Sequence, residues 1–386
     1  MEKVFIRRSK RILSGHLWIF SNELMESPRR FEPGDVVDVY DKNGHFLGIG
    51  YINPHSLISI RLLTDRREAI DKDFLRRRIL DAQRYRERML GGCYSCRVVF
   101  SEGDLLPGLI VDKYSDVIVI QLLTYGMERL KDMIIDVIDE IFNPSNIILR
   151  NDTPFRSIEG LLLKKEVIKG SGERVVINED GVMFEIDALS GQKTGFFLDQ
   201  RDNRIAFKDL IGEGRGLDLF CYTGAWAVHM AVKGADVIGI DESDYAIETA
   251  MRNAEINKLS NRCRFIRSDV FEFMDVEVRE GNKYDYIVLD PPAFVKSKDR
   301  VREAISAYRR INTSAMKLLK RRGILATSSC SYHVGRETFL DMLRSSAKEA
   351  GRRVRLIEMR SQARDHPILL SMPETGYLKC AFLEVI

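Results

Sequence analysis

Gly216-Leu217-Asp218-Leu219-Phe220-Cys221-Tyr222-Thr223-Gly224 reads as an apolar strand running into a small-residue turn, and a helix-like run, Ala225–Lys233, follows it. A second apolar strand, Ala235–Ile240, ends in Asp241, 17 residues after Gly224. That spacing fits a βαβ nucleotide-binding unit, in which an acid at the end of the second strand takes ribose hydroxyls. The turn is not a Gly-x-Gly-x-x-Gly phosphate cradle. Phe220, Tyr222 and Thr223 leave little room for a pyrophosphate, so a nucleoside without phosphates fits better than NAD. An ordinary α/β crossover would share this pattern, so the reading depends on its surroundings. From about Ser190 onward strands and helices alternate, which argues a parallel, doubly wound sheet.

Later strands of this region also end in chemistry-bearing residues. Phe265-Ile266-Arg267-Ser268 leads into Asp269-Val270, where the acid can accept from an adenine amino group and Val270 can pack on the ring. Asp269 also suits a helix N-cap, and the two roles can coexist. Tyr286-Ile287-Val288-Leu289 delivers Asp290-Pro291-Pro292-Ala293-Phe294. The prolines stiffen the loop and leave carbonyls free to face a flat, polar base. Acids at successive strand ends point into one crevice of an open α/β sheet.

The stretch Ile324-Leu325-Ala326-Thr327-Ser328-Ser329-Cys330-Ser331 reads as a buried strand that ends at a cysteine. A lone cysteine at a strand end is ordinarily a small buried hydrophobe. Beside an Asp-Pro-Pro loop it reads as a nucleophile. Carbon-5 of a pyrimidine becomes reactive only after a nucleophile adds to carbon-6, whereas methylation of a nitrogen needs no such residue. His16, His55, His333 and His366 read as structural or capping residues.

The remainder of the chain is read more coarsely. With 386 residues there is room for two or three domains. A charged fraction of 30% marks a soluble surface, and a net charge of +3 does not by itself indicate a nucleic-acid partner. The distribution says more: Arg61 to Arg97 holds eleven basic against six acidic residues, and the first thirty residues hold seven against three. This basic quarter suits an RNA-docking surface or, more simply, a solvated helix face. Alternating runs at Val36–Tyr40, Phe46–Gly50 and Ile58–Leu62 suggest a small β-barrel over residues 1–70. Asp71 to Leu90 has helical spacing and closes at Gly91-Gly92. A middle α/β unit, reaching residue 189, carries strands at Arg97–Phe100, Leu109–Asp112, Val117–Leu123, Ile147–Arg150 and Gly181–Asp187. It also carries a helix from Glu128 to Ile141 and an exposed loop at Lys169–Glu173. Six cysteines without framework spacing and no apolar run of spanning length place the chain in a reducing cytosol, away from membranes. Cys93-Tyr94-Ser95-Cys96 lacks the second pair a zinc site needs, so no metal is expected, and a local disulfide or two thiols fits better.

Gly191-Gln192-Lys193-Thr194-Gly195-Phe196-Phe197-Leu198-Asp199-Gln200-Arg201, the Asp218–Gly224 turn, Asp290–Phe294 and Ser329-Cys330-Ser331 together resemble the PUA-containing S-adenosylmethionine-dependent RNA methyltransferases. Gly15–Ser21, Asp365-His366-Pro367 and Gly376-Tyr377-Leu378-Lys379 share the resemblance, which therefore covers nearly the whole chain. It implies an N-terminal PUA barrel (residues 1–70), a middle α+β domain (71–189) and a Rossmann-like class I methyltransferase domain (190–386). The implied cofactor is S-adenosyl-L-methionine, and the implied partner is ribosomal RNA, 23S above all; a homodimer is left open. Phe197, Asp199 and Gln200 would form a cofactor-side lid, with Asp218, Phe220, Tyr222, Thr223, Gly224, Asp241, Ser243, Asp269, Val270 and Asp290 around the cofactor. Pro291, Pro292 and Phe294 would face the base, and Tyr332 is a further stacking candidate. Cys330 would add to cytosine carbon-6 while Asp290 holds the cytosine edge, giving 5-methylcytosine. Where some cytosine-5 RNA methyltransferases carry a second cysteine, this chain has Pro292-Ala293. Two rival readings are a guanine-nitrogen methyltransferase on the same scaffold and a non-catalytic RNA-binding or ribosome-assembly protein.

Overall fold

Alternating apolar residues, interrupted by glycine and aspartate turns, build the first part of the chain. The computed structural model describes residues 1–92, 94–171, 174–294 and 300–386. Cys93 falls outside the described residues, as do Gly172 and Glu173 of the expected loop, so the pairing of Cys93 with Cys96 lies there too. Two units emerge. One comprises Met1–Ile177, Ile186–Leu198 and Arg364–Gly376; the other comprises Asn178–Glu185, Asp199–Ala363 and Tyr377–Ile386.

The first unit opens with β1 (Glu2–Ile6), α1 (Lys10–Leu13), β2 (Trp18–Phe20), β3 (Asp35–Asp41), β4 (Phe46–Ile52) and β5 (Ile58–Thr64). They form a five-stranded sheet in the order β1-β3-β4-β5-β2, closed over Ile6, Ile19, Val37, Val39, Ile52 and Ile60. Asp41 makes the β3–β4 turn by accepting the backbone N–H groups of Asn43 and His45 at 2.8 and 2.9 Å. Helix α2 (Lys72–Leu90) starts where Asp71 accepts the Phe74 N–H at 2.9 Å, and it stops at Gly91, whose φ of +69° only glycine adopts readily. Its arginines are largely committed: Arg76 pairs with Asp73 and Glu140, Arg77 with Glu68, Arg84 with Asp81, and the fully buried Arg86 with Asp104. This helix therefore offers less unpaired positive charge than its composition suggests.

A second sheet follows: β6 (Ser95–Phe100), β7 (Leu109–Tyr114), β8 (Val117–Leu122), β9 (Asn146–Asn151) and β10 (Lys164–Lys169), ordered β10-β9-β8-β7-β6. The single helix expected from Glu128 to Ile141 is two, α3 (Tyr125–Arg129) and α4 (Lys131–Phe142), separated at Leu130. A short α5 (Phe155–Ile158) precedes β10. β10 carries no alternating signature because, as an edge strand, it keeps charged residues on both faces. A hairpin of β11 (Arg174–Glu179) and β12 (Val182–Asp187) follows, and its Asn178–Glu185 portion belongs to the second unit.

The second unit alternates α6 (Arg201–Lys208), β13 (Gly214–Leu219), α7 (Ala225–Val232), β14 (Ala235–Asp241), α8 (Asp244–Ile256), β15 (Cys263–Arg267), α9 (Val270–Glu280), β16 (Tyr284–Leu289), α10 (Val301–Leu318), β17 (Leu319–Ser329), α11 (Arg336–Glu349), β18 (Val354–Arg360) and β19 (Lys379–Val385). The sheet order is β15-β14-β13-β16-β17-β19-β18. Five strands run parallel, and β19 enters antiparallel to both of its neighbours. Leu217, Ile287 and Leu325 are fully buried between apolar stripes such as Tyr308, Ile311 and Ala315 on α10. Strand order reverses between β13 and β16, so the carboxyl ends of those two strands flank the crevice where such sheets bind ligands. Among the described residues no helix is long and apolar enough to cross a membrane.

Candidate active site

The turn after β13 is held in an unusual backbone conformation. Phe220, Tyr222 and Gly224 have φ of 64°, 46° and 75°. Non-glycine residues there cost on the order of 1–3 kcal/mol each. Asp241 supports the turn: its Oδ2 accepts the Tyr222 N–H at 2.9 Å and its Oδ1 the Ser243 N–H at 3.0 Å. Gly224 is needed twice over, because a Cβ there would also lie 2.9 Å from the Phe265 ring. Thr223 Oγ1 and Asp218 Oδ1 are buried polar atoms with no hydrogen-bond partner among the described residues. Asp218 Oδ2 accepts the Ala227 N–H at 2.9 Å. Burial pushes the Asp218 carboxyl up to about 8, against the pull of that N–H.

The neighbouring strand ends are helix caps. Asp269 Oδ1 accepts the Glu272 N–H at 2.8 Å and Ser243 Oγ accepts the Ala246 N–H at 3.3 Å. A hydrogen bond with Asp269 raises the nearby Glu242 carboxyl. Val270 is packed into the hydrophobic core at 1% exposure. Phe197 belongs to the first unit, where the Lys193 ammonium lies 4.2 Å from its ring centre.

Asp290 and Gln200 meet at the end of β16. Gln200 Nε2 donates to Asp290 Oδ1 at 2.8 Å and to Ser328 Oγ at 3.0 Å, while its Oε1 accepts from Asn203 at 2.6 Å. The Trp226 indole N–H reaches Asp290 Oδ2 at 3.1 Å. Asp199 accepts from the Tyr377 hydroxyl at 2.6 Å. Pro291 is buried and Pro292 exposed. Phe294 joins an aromatic cluster, 4.7 Å from the Tyr308 ring centre and 6.3 Å from that of Phe220. Tyr332 is 54% exposed.

Cys330, half-buried, follows the last residue of β17. The next residue, Ser331, bonds the Tyr308 hydroxyl through Oγ at 3.1 Å, and its carbonyl accepts from the Lys379 ammonium at 2.7 Å. Asp218, Gln200, Asp241, Asp269, Asp290 and Cys330 all belong to the second unit. Trp226 and Asn203 were not singled out from the sequence, since neither carries a motif. Lys379 appeared there only within the Gly376–Lys379 resemblance. Register could have found it, because β19 sets Lys379 opposite Ser329.

Residues 4–65 match the PUA-like domain family, and residues 213–369 match a methyltransferase domain family. The ribosomal RNA large subunit methyltransferase I of Pseudoalteromonas atlantica is 38% identical over 385 residues, covering 98% of each chain. The chain belongs to this methyltransferase family. The protein of the same name from Aliivibrio fischeri is 38% identical over 379 residues, 96% of each chain. A solved structure of a candidate SAM-dependent methyltransferase from Streptococcus mutans matches the whole of both chains, with a TM-score of 0.85 and 19% identity. A second, of a candidate methyltransferase complexed with SAH, has a TM-score of 0.86 at 19% identity, again over both whole chains. The class I methyltransferase fold and the dependence on S-adenosylmethionine thus agree with the expectation. The methyltransferase's strained turn, with the orphaned Thr223 hydroxyl and half-exposed Asp241, suits a polar nucleoside rather than a pyrophosphate.

Proposed function

We propose that this methyltransferase forms 5-methylcytosine in large-subunit ribosomal RNA through a covalent adduct with Cys330. The names of its relatives support the RNA class. One observation carries the chemistry: a half-buried cysteine directly follows β17, and Asp290 directly follows the adjacent parallel strand β16. In this reading residues 1–70 dock RNA, 71–189 form a middle domain, and 190–386 catalyse the reaction in the cytoplasm.

The Cys330 sulfur forms a bond to carbon-6, and the ring π pair shifts to make carbon-5 nucleophilic. S-adenosylmethionine, when bound, supplies an electrophilic methyl group. Once carbon-5 carries the methyl group, water takes its proton, the freed C–H pair restores the ring double bond, and the Sγ–carbon-6 bond breaks with its electron pair returning to sulfur. Asp290, fixed by Gln200 and Trp226, accepts from the cytosine amino group. Asp241 takes ribose hydroxyls, Asp269 faces the adenine, and Thr223 offers its unpartnered hydroxyl. Asp199, Gln200, Asp218, Phe220, Tyr222, Gly224, Ser243 and Val270 complete the cofactor surroundings within the second unit. Pro291, Pro292 and Phe294 border the base. A stacked base cannot reach this crevice, so the target is single-stranded or flipped.

Tritiated methyl transfer to unmodified 23S RNA, followed by bisulfite sequencing, tests the proposal. One newly protected cytosine supports it. Label at a bisulfite-sensitive position moves the reaction to a nitrogen and returns Cys330 to packing.

A further inference from the structure

Lys379 opens β19 and pairs in register with Ser329, the residue before Cys330. It is 9% exposed. Its ammonium donates to two backbone carbonyls, that of Ser331 at 2.7 Å and that of Tyr377 at 2.8 Å. Among the described residues no carboxylate pairs with it, and the one charge that acts on it is that of Cys330. Burying an ammonium without a counter-ion is costly, and carbonyl dipoles offset only part of that cost. Burial accordingly pulls the amine down to about 8, while Cys330 opposes the fall.

We propose that Lys379 is a positioning residue for Cys330: its ammonium, pinned to the carbonyl just beyond the cysteine, holds the sulfur as a thiolate. A nearby cation favours a thiolate, which is the form that attacks. The thiol proton passes to solvent and the ammonium keeps its own. The same charge serves the departure of sulfur from carbon-6, because the electron pair returns to an atom on which that ammonium's charge acts. The surroundings otherwise work against an anion. Asp290 stands at the end of the adjacent strand. Tyr308 on α10, raised chiefly by burial, is also raised by the charge of Cys330. Tyr332 and His333 follow on the cysteine's own loop, and the Tyr377 hydroxyl is spent on Asp199. Among the described residues Lys379 is a cation whose charge acts on Cys330 and offsets these. The inference rests on the reading of Cys330 as the nucleophile.

The test is the pH dependence of Cys330 alkylation by iodoacetamide in the full chain, read peptide by peptide by mass spectrometry without RNA. In the wild type the midpoint is expected below the ordinary thiol value of about 8.5. Lys379→Met should raise it by about one unit or more, and Lys379→Arg should keep it near wild type, with binding of S-adenosylhomocysteine intact in both. A wild-type midpoint at or above the ordinary thiol value overturns the proposal even if neither variant folds. An unchanged midpoint in a Lys379→Met protein that still binds S-adenosylhomocysteine also overturns it. Loss of methyl transfer in that protein would then make Lys379 a proton acceptor instead. A shifted midpoint without any 5-methylcytosine sustains the Lys379–Cys330 pairing and removes the cytosine reading. Formation of 5-methylcytosine with an unshifted midpoint does the reverse.

Discussion

The Trp226 indole donates to Asp290, 3.1 Å from Oδ2, although 64 residues separate the two along the chain. Gln200 holds the other oxygen, so the carboxylate is oriented from α7 and from the start of α6. Trp226→Phe keeps an aromatic ring beside Phe207 but removes the N–H together with the volume of the five-membered ring, at a buried position. A hydrogen bond to a charged group contributes about 1.5–3 kcal/mol. The single-turnover methylation rate should therefore fall roughly 10- to 100-fold, measured at a temperature where melting shows the variant still folded, since the smaller ring also costs some stability. A rate within twofold of wild type would show that Asp290 needs no such orientation.

Cys330→Ala should leave S-adenosylhomocysteine affinity unchanged, since no cofactor-side contact is removed, and should abolish turnover on 23S RNA. Calorimetric titration and tritium incorporation measure the two separately. Retained methylation would rule out the covalent route.

The Asp218 carboxyl makes stability fall as pH rises. Its ordinary value is 3.8, and burial pushes it up to about 8. Between these values the unfolded chain sheds a proton that the folded chain keeps, so each increase in pH favours unfolding. Asp218→Asn cannot ionise and should flatten this slope. Melting temperatures of the two proteins, compared from about pH 5 to 8, should converge or cross toward the alkaline end. Parallel curves would count against a protonated Asp218.

Arg204 grips the fully buried Glu179 with two hydrogen bonds of 2.6 and 2.7 Å, and His229 adds a third contact at 3.0 Å. Burial raises the Glu179 carboxyl, but Arg204 and His229 prevail and bring it down from 4.5 to about 2. The stability from this pairing is present above 4.5 and is lost as pH falls toward about 2. Arg204→Met strands the carboxylate and should destabilise the second unit by about 3–5 kcal/mol. Urea unfolding at neutral pH would measure it, and a loss under 1 kcal/mol would contradict the geometry.

Gly224→Ala meets both a left-handed backbone and the Phe265 ring. Relief requires moving the turn that Asp241 supports, so S-adenosylhomocysteine binding should weaken at least tenfold, as isothermal titration would show. Unchanged affinity would separate this turn from the cofactor.

Order along the chain was legible from residues alone, because hydrophobic period and turn chemistry are local properties. Gly91 after the α2 stripe, the Asp41–Gly44 turn, and the alternation after Ser190 each report the conformation of their own few residues. The acids at strand ends and the cysteine just after β17 were visible for the same reason. The exceptions are equally physical: the break at Leu130 leaves the apolar spacing intact, and β10 is an edge strand without an alternating face. Partnership across the sheet was not legible. Trp226 meets Asp290 because the β13 and β16 segments pair side by side, and Lys379 arrives beside Cys330 because the last strand inserts antiparallel next to β17. Each of these encounters closes a loop of tens of residues, and only the packing of the complete sheet specifies which side chains end up opposite one another.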